Sequence, residues 1–164
     1  MSGGTALACH GTAVLVETVG ILLRGGSGSG KSLLALKLID AGARLIADDR
    51  VYLSPRGGRL LASPPSAIAG LIELRGAGIL RRPCEPMAII ALIVDLVEPE
   101  TVERMPSADG LRTELEGVTI ARQAVPAPGS AGTLEPALTL IRNAVANMRN
   151  RTHHKALHLT QVSP

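Results

Sequence analysis

The sequence predicts an α/β domain organised around a nucleotide-binding P-loop, and three features point to it. Gly25-Gly26-Ser27-Gly28-Ser29-Gly30-Lys31-Ser32 matches G-x-x-x-x-G-K-[ST]. The motif follows an apolar run, Ile21 to Leu23, and opens an apolar segment of helical length, Leu33 to Ile39. The core must be aliphatic, because 46% of the 164 residues are hydrophobic while aromatics make up 1%, with Tyr52 alone. That composition suits parallel strands covered on both faces, which read as unbroken Leu, Ile and Val runs.

The elements are expected in the following order. Ala13 to Glu17 and Val19 to Leu23 read as two short strands, and the helix after the P-loop stops at Ala41-Gly42. Arg44 to Ala47 and Val51 to Leu53 are short strands flanking Asp48-Asp49. Arg56 to Arg59 is a turn, followed by a strand-like Leu60-Leu61 and a short helix around Ala67 to Leu71. Ile72 to Ile79 carries polar residues and two glycines and reads as a functional loop. Ala88 to Val97 is the most apolar run and reads as a central buried strand. Signals weaken beyond Pro99. Val125 to Gly132 is loop by composition, and Leu134 to Met148 is an amphipathic helix. The chain is expected to form one domain over residues 1–150, with a flexible tail over 151–164.

Bulk properties exclude several classes. The net charge of +3 is mild, and the stacking aromatics of single-strand nucleic-acid binders are missing, so no nucleic acid is expected. No segment is long enough to span a bilayer. Met1 to Ala8 lacks the charged start of a secretory signal, which predicts a cytoplasmic protein with no membrane association. Cys9 and Cys84 stand apart without metal-ligand spacing and are expected as small buried hydrophobes.

The P-loop residues follow from anion chemistry. Glycines let consecutive N–H groups point at a phosphate, and the following helix aims its positive end at the same charge. Lys31 is placed to reach the β- and γ-phosphates of ATP, and the Ser32 hydroxyl to coordinate Mg²⁺. Transfer to an alcohol needs a carboxylate base and a second acidic metal ligand. Asp48-Asp49 closes one short strand, Asp95 closes the apolar run, and Glu73 lies in a charged, Gly-containing segment. Chemistry alone leaves Asp49 and Asp95 open as alternatives.

Four ordered stretches resemble HPr kinase/phosphorylase, the bacterial enzyme family that phosphorylates a serine of the phosphocarrier protein HPr. They are Cys9-His10-Gly11, Gly25 to Ser32, Ala41 to Asp49, and Glu73-Leu74-Arg75-Gly76-Ala77-Gly78-Ile79. The resemblance implies a fold of the HPr kinase / phosphoenolpyruvate carboxykinase-like type, and a homo-oligomer, a hexamer in the family. It implies that Lys31 binds the transferring phosphates, that Ser32 and Glu73 hold Mg²⁺, and that Asp49 exchanges the proton of the substrate serine. His10 and Arg75 would lie in the active site, with Arg104 a further catalytic arginine. Asp95 becomes a strand terminus. Longer members carry an additional N-terminal domain, and the chain resembles the short forms. The family's Pro-Val-Arg-Pro-Gly-Arg segment, used for dephosphorylation, corresponds here to Ala124 to Ser130 without either arginine, so the reverse, phosphorylase reaction is not expected. The rival readings are a small-molecule kinase or generic NTPase using Asp95, and a nucleotide sensor without turnover.

Overall fold

More of the chain forms strands than helices. The computed structural model describes residues 5–129 and 131–160, with the backbone alone over 153–160. Its strands are β1 (Leu7–His10), β2 (Thr12–Val16), β3 (Val19–Arg24), β4 (Arg44–Ala47), β5 (Arg50–Arg56), β6 (Arg59–Ser63), β7 (Leu71–Leu74), β8 (Gly78–Arg81), β9 (Ala88–Val97), β10 (Arg112–Leu115) and β11 (Val118–Pro126). The helices are α1 (Lys31–Asp40) and α2 (Leu134–Thr160).

Nine strands form one sheet in the order β1-β5-β6-β9-β3-β2-β4, with β11 also on β9 and β10 on β11. Strand β9 holds it together. Its start pairs antiparallel with β6, and its later residues run parallel to β3 on one side and to β11 on the other. The remaining pairings in this sheet are antiparallel, so the expected parallel sheet is confined to β3, β9 and β11. Those are also the strands covered on both faces. Leu92, Val94 and Leu96 pack toward the helices, while Ile93 packs into a second core against Leu22, Ile46, Val51 and Leu60. Burial on both sides removes the polar alternation and explains the unbroken run. Gly20 lets β3 approach closely here: a Cβ would sit 2.0 Å from the Ile89 carbonyl oxygen.

Helix α1 buries Leu34, Ala35, Leu36, Leu38 and Ile39. Helix α2 presents Ala137, Leu138, Ile141 and Val145 to the same core at helical spacing. Its backbone stays helical through Thr160, past the residue where the tail was expected to begin. Residues 161–164 of that expected tail lie outside the described residues.

Two further expectations are corrected. The short helix around Ala67 to Leu71 is only a 3-10 turn, Ser66–Ile68, with strand β7 starting at Leu71. The predicted loop Ile72 to Ile79 lies within a β-hairpin, β7–β8. Its glycines supply the turn, with φ 92° at Gly76 and 89° at Gly78, and its polar residues alternate with the inward-facing Ile72 and Leu74. Strands β1 and β10 had no prediction, and β11 extends through Val125 and Pro126, the start of the segment expected as loop. Cys9 and Cys84 are free and half-buried rather than buried, and burial pushes the Cys9 thiol up.

Candidate active site

The strand ends that follow from this topology converge on one cleft. Strand β3 delivers the P-loop, whose turn closes with Ser29 N–H donating to the Gly26 carbonyl at 3.1 Å. Helix α1 starts at Lys31 with Gly30 as its N-cap in left-handed backbone, φ 100°. A Cβ built on Gly26 or Gly28 meets no atom within 4 Å, so the loop leaves open space for a phosphate. Lys31 is buried, and its Nζ donates to the Gly25 and Gly26 carbonyls at 2.8 and 2.9 Å. One of its three N–H groups remains for a phosphate oxygen. Burial lowers the Lys31 pKa, against the opposing charges of Asp49 and Asp48.

Asp48 is the hub of the cleft. It is buried, its Oδ1 accepts from the Thr12 hydroxyl and the Ser32 hydroxyl, each at 2.9 Å, and its Oδ2 accepts from the Glu73 backbone N–H at 2.9 Å. One carboxylate thus ties β2, α1 and the β7–β8 hairpin together. Sequence reasoning noticed the aspartate pair but gave the role to its second member alone; the Ser32 position of the P-loop was the available signal for a neighbouring acid.

Asp49 has a different character. The Arg50 N–H donates to the Asp48 carbonyl at 2.8 Å while the intervening Asp49 has φ 66°. An i to i+2 bond across a positive φ is the strained form of the γ-turn. The strain turns the Asp49 side chain outward, 78% exposed, with its Oδ1 3.3 Å from His10 Nδ1. The Gly11 N–H donates to the Asp49 carbonyl at 3.1 Å and fixes the turn against the end of β1.

The cleft encloses about 520 Å³, and its lining includes His10, Thr12, Lys31, Ser32, Asp48, Asp49, Glu73, Arg75, Pro128 and Gly129. Of the predicted catalytic side chains, Arg104 is exposed and does not line it. The chain after β9 turns away through two short 3-10 turns, Pro99–Thr101 and Asp109–Leu111, which carry Arg104 with them. Asp95 is also elsewhere. It accepts from Arg24 Nε at 2.7 Å and Nη2 at 2.9 Å, and from Arg122 Nε at 2.6 Å. Burial alone would raise its pKa, but the hydrogen bonds and charges of the two arginines hold it below the ordinary 3.8.

Sequence reasoning missed Pro128. Its ring packs on the P-loop so closely that a Cβ on Gly30 would lie 2.5 Å from Pro128 Cγ. A Gly30→Ala variant therefore meets both this clash and a left-handed backbone. It should weaken ATP binding by roughly tenfold or more and lower stability by about 1–3 kcal/mol, as read by calorimetry and thermal unfolding. An unchanged Kd would show that the contact yields freely.

The donor set fits a small hard cation. Among the described residues no three His, Cys, Asp or Glu side chains converge as a metal cluster. A cation here would rest on one or two carboxylates, the Ser32 hydroxyl and phosphate oxygens, which is the pattern that suits Mg²⁺.

A glycine loop on a helix N-terminus, a lysine within it and an acid bonded to the following serine define a P-loop nucleotide-binding domain. The particular family follows from comparison with known proteins. The chain belongs to the family described as HPr Serine kinase C-terminal domain, whose profile matches residues 4–161. It is 36% identical to an HPr kinase/phosphorylase of Neisseria meningitidis over 93% of this chain and 52% of that protein. It is 47% identical to one from Clostridium tetani over 45% of this chain and 24% of that protein. The chain thus spans between about a quarter and a half of these relatives. The solved structure of the Hpr(Ser) kinase/phosphatase from Coxiella burnetii superposes with a TM-score of 0.76 and 25% identity, covering 93% of this chain and 98% of that one. Among the described residues no helix is long and apolar enough to cross a membrane.

Proposed function

We propose that this domain transfers the γ-phosphoryl group of ATP, with Mg²⁺, to a serine of HPr or an HPr-like carrier, and so regulates a phosphotransferase system. The observation that carries this reading is the meeting of the P-loop, Asp49 and Glu73 in one cleft. Bound Mg²⁺ would neutralise charge developing between the β- and γ-phosphates. Ser32 and Glu73 would hold it, and Asp48 would orient both through the bonds described above.

Asp49 accepts the proton of the serine hydroxyl as the serine oxygen bonds to the γ-phosphorus and the bond to the leaving ADP breaks. His10 positions the Asp49 carboxylate, and Lys31 and Arg75 supply positive charge on the nucleotide side and the rim. Pro128 and Gly129 pack beside the P-loop at Gly30 and Gly28 and line the cleft with it. Ala127, at the place of a family arginine, offers no guanidinium for a phosphoserine, and Ser130 lies outside the described residues. That favours the forward reaction. The resemblance also supports a homo-hexamer working in the cytoplasm.

Incubation of the domain with ATP, Mg²⁺ and an HPr-like carrier should add one phosphoryl mass, located on serine, and omission of either cofactor should prevent it. A carrier that stays unmodified while ATP binds would sink the proposal in favour of a nucleotide sensor.

A further inference from the structure

The β7–β8 hairpin presents one exposed large hydrophobic residue that lies outside both the core and the cleft lining. Its register pairs Ile72 with Leu80 and Glu73 with Ile79. Directly opposed residues of an antiparallel pair project to the same side. Ile72 is buried, and Leu80 packs against the core, so that pair faces inward. Glu73 and Ile79 therefore share the outward side, and Glu73 lines the cleft. Ile79 is 70% exposed.

A single exposed aliphatic residue is ordinary on a protein surface. The position of Ile79 sets it apart. It stands directly across the ribbon from the carboxylate assigned to the metal, on the lip of the cleft, but it does not line the cleft itself. Nothing confined to the cleft would touch it. An acceptor whose hydroxyl reaches the exposed Asp49 while its flanking chain crosses the lip would. Arg75 and Arg81, both exposed on the same hairpin, give this apolar point a cationic rim. An apolar centre within a polar rim is the anatomy of a protein contact.

We infer that Ile79 is a specificity residue that anchors a protein acceptor, burying itself against an apolar side chain beside the phosphorylated serine. The inference rests on the transfer reading above in assigning an acceptor to this face. It makes Ile79 a contributor to acceptor affinity and leaves the chemical step to Asp49, Lys31 and the metal ligands. It also distinguishes a protein acceptor from a small molecule, which would fit within the cleft and never meet the lip.

The test compares the parent chain with Ile79→Ser and Ile79→Val. Phosphorylation of the HPr-like carrier is followed at saturating ATP and Mg²⁺, and carrier binding is followed separately with a non-hydrolysable ATP analogue. Ile79→Ser should raise both the carrier KM and the carrier Kd about tenfold or more. Its kcat should stay within twofold and its nucleotide Kd unchanged, and Ile79→Val should stay close to the parent. If the carrier is phosphorylated but Ile79→Ser leaves KM and Kd unmoved, or lowers kcat alone, the inference is overturned and the transfer reading stands. If the carrier binds in an Ile79-dependent way without being phosphorylated, the surface stands and the transfer reading falls. A carrier that neither binds nor reacts removes both.

Discussion

An Asp49→Asn variant should bind ATP as the parent chain does and phosphorylate its acceptor at least about 10²-fold more slowly. The substitution is unusually clean at this position. Asp49 sits at φ 66°, where asparagine is at least as comfortable as aspartate, so the turn is kept. The bonds from the Gly11 and Arg50 N–H groups involve only backbone atoms and survive. What disappears is the carboxylate beside His10, the base proposed for the serine proton. Asp49→Ala is the useful contrast. It removes the base and also puts a residue of low left-handed preference into the turn, costing about 1 kcal/mol of stability in addition. Initial rates with labelled ATP, nucleotide Kd by calorimetry and thermal unfolding separate the two effects. Turnover within threefold of the parent in Asp49→Asn would remove Asp49 from the role of base.

The sequence makes some of this site legible and conceals the rest, for identifiable reasons. The P-loop can be read because its chemistry requires consecutive residues: glycines, a lysine and a serine on one turn. Strand β9 matches its predicted bounds, Ala88 to Val97, because burial on both faces leaves a run that no other element mimics. Strands β10 and β11 were not visible. Their exposed positions carry Arg, Glu and Thr, and they are strands because β11 pairs along β9, a contact far away in sequence. The hairpin around Glu73 was taken for a loop because its glycines and charges dominate a short segment, while the single inward pair Ile72 and Leu80 decides its structure.

The role of Asp48 is a matter of three-dimensional position. It depends on Thr12, Ser32 and the Glu73 N–H arriving from three elements, and no local pattern encodes that meeting. Pro128 is similar: its importance lies in the ring resting on Gly30, about a hundred residues earlier in the chain. Arg104 is the converse case. A resemblance in type and approximate place was available, but the segment that carries it leaves the cleft.

The competition between Glu73 and Asp95 as the second acid can be decided by the kind of damage each loss causes. Glu73→Gln removes a charged oxygen from the cleft and should raise the Mg²⁺ needed for half-maximal activity about tenfold or more, with little change in thermal stability. Asp95→Asn should do the reverse. The Asp95 side chain is 16% exposed and the two arginines 29% and 28%, so its loss leaves two largely shielded guanidinium groups facing each other. Breaking such a cluster costs about 2–4 kcal/mol, or roughly 5–15 °C in Tm for a chain of this size. The pH dependence gives a second signature. The folded pKa of Asp95 lies below its ordinary 3.8, so its contribution is fully present above that value and is lost as pH falls through the folded pKa. The parent chain should therefore lose stability on acidification below about pH 4 more steeply than Asp95→Asn, which has no such proton to take up. A raised Mg²⁺ requirement in Asp95→Asn at full thermal stability would instead restore Asp95 as the metal ligand. The bidentate contact with Arg24, the residue just before Gly25, argues against that outcome: both oxygens of this carboxylate already accept from guanidinium groups, and its charge is balanced by two arginines rather than awaiting a cation.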